Sequence, residues 1–169
     1  MRKLPTILVM GGLLALLSGC FVVVSTPRVS DLTYATSWEV RATGQDVICD
    51  NKATNIQYQF KYSDLSDITS WREVWTGQAA TSPTYDTTLT PSSPTVSVDS
   101  ASKTITVSFN FTRFDGNRPS PFRVESQAIT VTPVPFVPTS QTGNARMRLI
   151  FSNGLGEFQT PLIPVFSGC

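Results

Sequence analysis

The reactive side chains of this 169-residue chain are three cysteines and a scatter of carboxylates, and there is no histidine. That absence removes the commonest general base, the commonest neutral metal ligand and the Ser-His and Cys-His dyads. Catalysis would have to rest on carboxylates, lysine or tyrosine. Asp46 and Asp50 flank a strand-like stretch, Asp64 and Asp67 share a loop, and Asp115 sits in a turn sequence. Two carboxylates held at the right separation make a glycosidase, but Asp is also an ordinary turn former. Segments 64–67 and 115–117 lack the density of oxygen ligands that a strong calcium loop supplies. Zinc and copper sites are built mainly from imidazole and thiolate. The reading is therefore no enzyme, no metal and no cofactor.

Trp38, Trp71 and Trp75 are the three tryptophans and form the candidate binding surface for a glycan or partner. Trp71 and Trp75 share one strand-like run, and side chains two residues apart along a strand point to the same face. Core packing is expected of at least one of the three.

Charged residues make up 15% of the chain, below the roughly 25% of an average soluble protein. Thirteen Lys and Arg oppose twelve Asp and Glu. Arg2 and Lys3 lie in the first nineteen residues, so the remainder carries eleven cationic against twelve acidic side chains. No basic run or stripe stands out, which argues against nucleic-acid binding through phosphate neutralisation.

The first nineteen residues begin with Arg2 and Lys3, continue with an apolar core and end with Ser18 and Gly19. This is the layout of a secretory signal peptide. Leu17-Ser18-Gly19-Cys20 resembles the lipobox of bacterial lipoproteins at every position. The resemblance implies cleavage before Cys20, a diacylglycerol on its thiol and acylation of the new amino group, hence an anchor in the membrane. Each buried CH₂ of such chains contributes about 0.8 kcal/mol, so two or three chains hold where one does not. It also implies residence in the cell envelope, facing the periplasm or the exterior. Phe21 after the cysteine favours the outer membrane where two membranes exist.

Lipidation of Cys20 leaves Cys49 and Cys169, and an exported chain meets an oxidising compartment. A disulfide between them would close a loop of about 120 residues, which the chain-entropy model values at about 4–5 kcal/mol. A buried free Cys49 and an intermolecular bridge through Cys169 are the alternatives.

The elements that position these residues read as β. Ile105, Val107, Phe109 and Phe111 alternate with Thr106, Ser108, Asn110 and Thr112, the period of a half-buried strand. Ile56, Tyr58, Phe60 and Tyr62 repeat the pattern. Further strands are expected over 38–43, 46–50, 70–76, 95–99, 123–131, 145–152 and 157–165. Asn153-Gly154 supplies the positive φ angles of a hairpin turn, and Asp115-Gly116-Asn117 marks another turn. Pro133, Pro135 and Pro138 point to an edge strand or an extended connection. Eight or nine short strands with polar turns predict an all-β antiparallel sandwich, immunoglobulin-like or fibronectin-III-like. The stretch YQFKYSDLSDITSWREVW resembles a fibronectin-type strand, loop and strand. The expected organisation is a signal peptide over 1–19, a tether over 20–36 and one domain over 37–169. The expected role is a structural or protein-interaction module, such as an accessory subunit of an envelope assembly. FVVV at 21–24 and the Pro-rich 133–138 segment are the candidate partner contacts. Glycan or peptide capture on aromatic residues is the alternative, and a carboxylate-based hydrolase a third reading.

Overall fold

The computed structural model describes residues 28–77, 85–111 and 131–169, together with the backbone of 114–115 and 118–119. Cys20, FVVV and most of the strand expected over 123–131 lie outside the described residues. Among the described residues the chain is all β, with two short 3-10 turns. No helix among them is long and apolar enough to cross a membrane.

Two sheets form a sandwich. The smaller has the order β1 (Val29–Thr36), β4 (Thr54–Tyr62), β8 (Thr104–Phe111) and β7 (Val96–Asp99), all antiparallel. The larger runs β11 (Val134–Phe136), β2 (Trp38–Val40), β3 (Gln45–Cys49), β14 (Ile163–Ser167), β12 (Ser140–Phe151), β5 (Trp71–Gly77) and β6 (Tyr85–Leu89). β13 (Glu157–Gln159) continues the line of β14 along β12. Separately, β9 (Phe114–Asp115) pairs antiparallel with β10 (Arg118–Pro119); the predicted 115–117 turn lies mostly outside the described residues. Two pairings, β11 with β2 and β14 with β3, are parallel, so the larger sheet is mixed rather than wholly antiparallel.

The core is made by the alternation visible in the sequence. Ile56, Tyr58, Phe60, Ile105, Val107, Phe109 and Phe111 of the smaller sheet meet Trp71, Trp75, Met147, Leu149, Phe151, Ile163 and Val165 of the larger. Aromatic rings cross between the sheets edge to face, Phe60 on Trp71 at 5.4 Å and Trp75 on Phe111 at 5.0 Å. Such pairs contribute about 0.5–1.5 kcal/mol beyond the area they bury.

The domain begins earlier than the expected boundary at residue 37. β1 occupies part of the predicted tether, and its Val29 is buried in the core. Its signal is hidden by a bulge between Ser30 and Thr33, with Asp31 at φ 54°. The bulge shifts the inward positions from Val29 to Leu32 and Tyr34, which breaks period two. At Thr36 the chain leaves the smaller sheet for the larger. The Thr36 hydroxyl accepts from the Val47 N–H (3.1 Å) and donates to the Val47 carbonyl (2.7 Å), replacing ladder bonds at the crossing. β6 was also not expected: Tyr-Asp-Thr-Thr-Leu is short and mostly polar. The strand expected over 157–165 is two strands, separated by Thr160, Pro161 and Leu162. Asn153 and Gly154 both take positive φ, 66° and 69°, in the predicted hairpin. β11 is an edge strand in which Val134 N–H and the Phe136 carbonyl bond toward β2, leaving Pro135 on the open side.

The parallel pairing of β14 with β3 sets Phe166 beside Cys49. Three residues later Cys169 forms a disulfide with Cys49, with Cα atoms 6.0 Å apart. Gly168 makes the intervening turn at φ 73°, and a Cβ there would meet the Thr139 hydroxyl at 2.7 Å. In the unreduced full-length protein, neither Cys49 nor Cys169 is expected to react with an alkylating reagent, and both should react after reduction in denaturant. Cys169→Ser should lower stability by about 2–5 kcal/mol in urea unfolding. Alkylation of both thiols without reduction would contradict the bond.

Candidate functional site

β5 reads Trp71-Arg72-Glu73-Val74-Trp75, and period two directs Trp71, Glu73 and Trp75 inward together. Arg72 points out and pairs with Asp86 on the neighbouring β6. The inward row therefore carries a carboxylate into the sandwich, where Glu73 is 1% exposed. Its Oε1 accepts a hydrogen bond from Trp75 Nε1 (2.7 Å) and its Oε2 accepts one from the Tyr58 hydroxyl (2.8 Å). The Tyr58 oxygen in turn accepts from Trp71 Nε1 (3.0 Å). Tyr58 comes from β4 of the opposite sheet, so one polar network ties the two layers together through the core.

Every donor in that network is neutral. No cationic side chain among the described residues pairs with Glu73. Burial accordingly pushes the Glu73 carboxyl from its ordinary 4.5 to about 7, with the bonds from Trp75 and Tyr58 opposing the rise. Burial, and then the charge on Glu73, also raise the Tyr58 and Tyr85 hydroxyls.

Glu73 forms part of the wall of a cavity of ≈ 260 Å³. Tyr85 and Thr87 of β6 contribute from the edge of the larger sheet, and Phe109 of β8 from the smaller. Residues 93–95, which lead into β7, complete the wall. Thr87 is the direct cross-strand neighbour of Glu73. The cavity thus sits where the edges of the two sheets face each other, and Glu73 is the acidic residue among its described lining.

The structure separates the three tryptophans of the candidate binding surface. Trp71 and Trp75 are 1% and 0% exposed: their rings fill the core and their N–H groups serve the network. Trp38 belongs to a second small cluster with Val40, Val47, Phe136, Phe166 and Cys169. It packs edge to face on Phe136 at 6.4 Å, donates to the Ala53 carbonyl and carries the Lys52 ammonium over its ring. The three indoles therefore do not make one exposed surface. Glu73 was missed although its position was legible. Placing Trp71 and Trp75 on one face places Glu73 between them.

Three of the acids that the sequence singled out, Asp46, Asp64 and Asp67, do local work. Asp46 accepts from Thr36 N–H (2.7 Å). Asp64 caps a short turn by accepting from Ser66 N–H (2.9 Å), and those bonds hold its carboxyl below the usual range. Asp67 pairs with Arg28 at 3.2 Å. Among the described residues, no three His, Cys, Asp or Glu side chains gather as metal ligands would. Comparison with protein-family models and with curated proteins found no match.

The raised carboxyl gives a signed pH dependence. Between about 4.5 and 7 the folded state holds a proton on Glu73 that the unfolded chain has released. Stability contributed by this group is present below about 4.5 and is lost as pH rises toward 7. Urea unfolding across this range should show that decline in the wild-type protein and a shallower slope in Glu73→Gln. Identical slopes in the two proteins would refute the assignment.

Proposed function

We propose that this chain is a lipid-anchored lipoprotein of the bacterial cell envelope, whose β-sandwich acts as a structural or protein-interaction module. The observation that carries this reading is the Cys49–Cys169 disulfide in a chain whose third cysteine stands in a lipobox. Disulfides persist in oxidising compartments, which matches an exported protein. With two thiols joined to each other, Cys20 is left for lipid.

The distance from anchor to domain supports the interaction role. Cys20 and Val29 are separated by a span that reaches roughly 30 Å even when fully extended. A lipid on Cys20 would keep the sandwich close to its membrane, with little freedom to search away from it. Val134 and Val137, in the Pro-rich segment around edge strand β11, are 50% and 66% exposed. Exposed apolar side chains on an edge suit contact with another envelope protein.

Two measurements test the reading. Expressed in a bacterial host fed a clickable palmitate analogue, the full-length protein should take up label, and Cys20→Ala should lose it and accumulate as precursor. Label retained by Cys20→Ala would overturn the anchor. A photo-crosslinking residue at position 137 in intact cells should yield a discrete adduct of higher mass. Absence of any such adduct would count against the interaction module.

A further inference from the structure

We propose that the cavity between the sheet edges is a binding site for a small organic cation, a primary amine whose ammonium group sits against the Glu73 carboxylate. The inference stands apart from the lipoprotein reading, because it rests on the interior of the sandwich alone.

An ionised carboxylate has about four lone-pair positions. Tyr58 and Trp75 occupy one on each oxygen. Both donors are neutral, so they stabilise the charge only in part: acceptor capacity remains and no cation among the described residues offsets it. A buried charge is ordinarily paired. Here no counter-charge comes from the described protein residues, yet Glu73 forms part of a cavity wall. A ligand ammonium offers three N–H donors and the missing charge in one group.

The remaining wall fits the rest of such a molecule. Leu89, Val107 and Phe109 give it an apolar side for a short alkyl chain. Tyr85 and Phe109 supply aromatic rings, which attract cations. Thr87 and Ser93 add neutral hydroxyl-bearing residues. Among the described residues the wall has no Lys or Arg, so there an anion would face Glu73 with nothing to offset the repulsion. At ≈ 260 Å³ the cavity is small for a drug-sized ligand and suits a compact amine or the amine end of a longer molecule.

The surroundings define the pH response. Glu73 faces Tyr58 from β4 and Tyr85 from β6, and both hydroxyls stay neutral well into the alkaline range. Its inner-face neighbours along the sheet are Leu149 and Thr87, which carry no charge. Ionisation of Glu73 is therefore the titration that governs capture of a cation.

Three isosteric probes test the site on the full-length protein in detergent, followed by tryptophan fluorescence and NMR: n-butylammonium, 1-butanol and butyrate. Butylammonium should bind saturably at about pH 8, and more than about tenfold more weakly at about pH 5.5, where Glu73 is protonated. Glu73→Gln should lose at least about tenfold in affinity. Thr87→Phe, on an edge strand, should fill the cavity and abolish binding without removing the carboxylate. This keeps the test decisive should Glu73→Gln fold poorly. Saturable binding of butyrate or butanol as tight as butylammonium, binding unaffected by Thr87→Phe, or no saturable binding of the amine would each overturn the proposal.

Discussion

A carboxylate inside a β-sandwich has to be solvated by the protein itself, and Glu73 meets that constraint with donors from both layers. Trp75 lies two residues along the same strand, and Tyr58 reaches from the facing sheet. Trp71 secures Tyr58 in turn. Together these contacts fix the relative position of β4 and β5 at the centre of the core. They also fix which way the two largest side chains of β5 point. A shift of either strand by one residue would send every inward side chain to the outer face. Glu73 would then lose its donors along with the aromatic packing.

The second constraint lies in the middle of the larger sheet. The parallel β3–β14 pairing brings the chain terminus back to an early strand, and the disulfide makes that return permanent. Gly168 supplies the turn without the side chain that Thr139 would obstruct. The two devices are complementary. One holds the layers to each other through polar groups in the interior; the other holds the last strand within its sheet.

How much of this was legible follows from the physics of each element. β4 and β8 were plain in the sequence because their alternation is unbroken and both pack against the core. β1 was hidden because a bulge shifts its inward face by one position. β6 was hidden because an edge strand needs few apolar residues, and its inward Thr87 faces a cavity rather than packed hydrocarbon. The parallel pairings depend on contacts distant in sequence, which local pattern does not encode. The tryptophans were a candidate surface because indoles often recognise ligands, with core packing expected of at least one. Their sequence spacing instead described the inner face of β5, with Glu73 between them.

One group is central: a Glu73 carboxylate held in the core by neutral donors, with no cation among the described residues beside it. The most direct measurement is its titration by NMR, with carbon-13 placed in the glutamate side chains and Glu73→Gln used to assign the resonance. The account predicts a midpoint of about 7. A Glu73 midpoint at the ordinary value of 4.5 would contradict it, because the carboxylate would then be either open to water or paired with a charge.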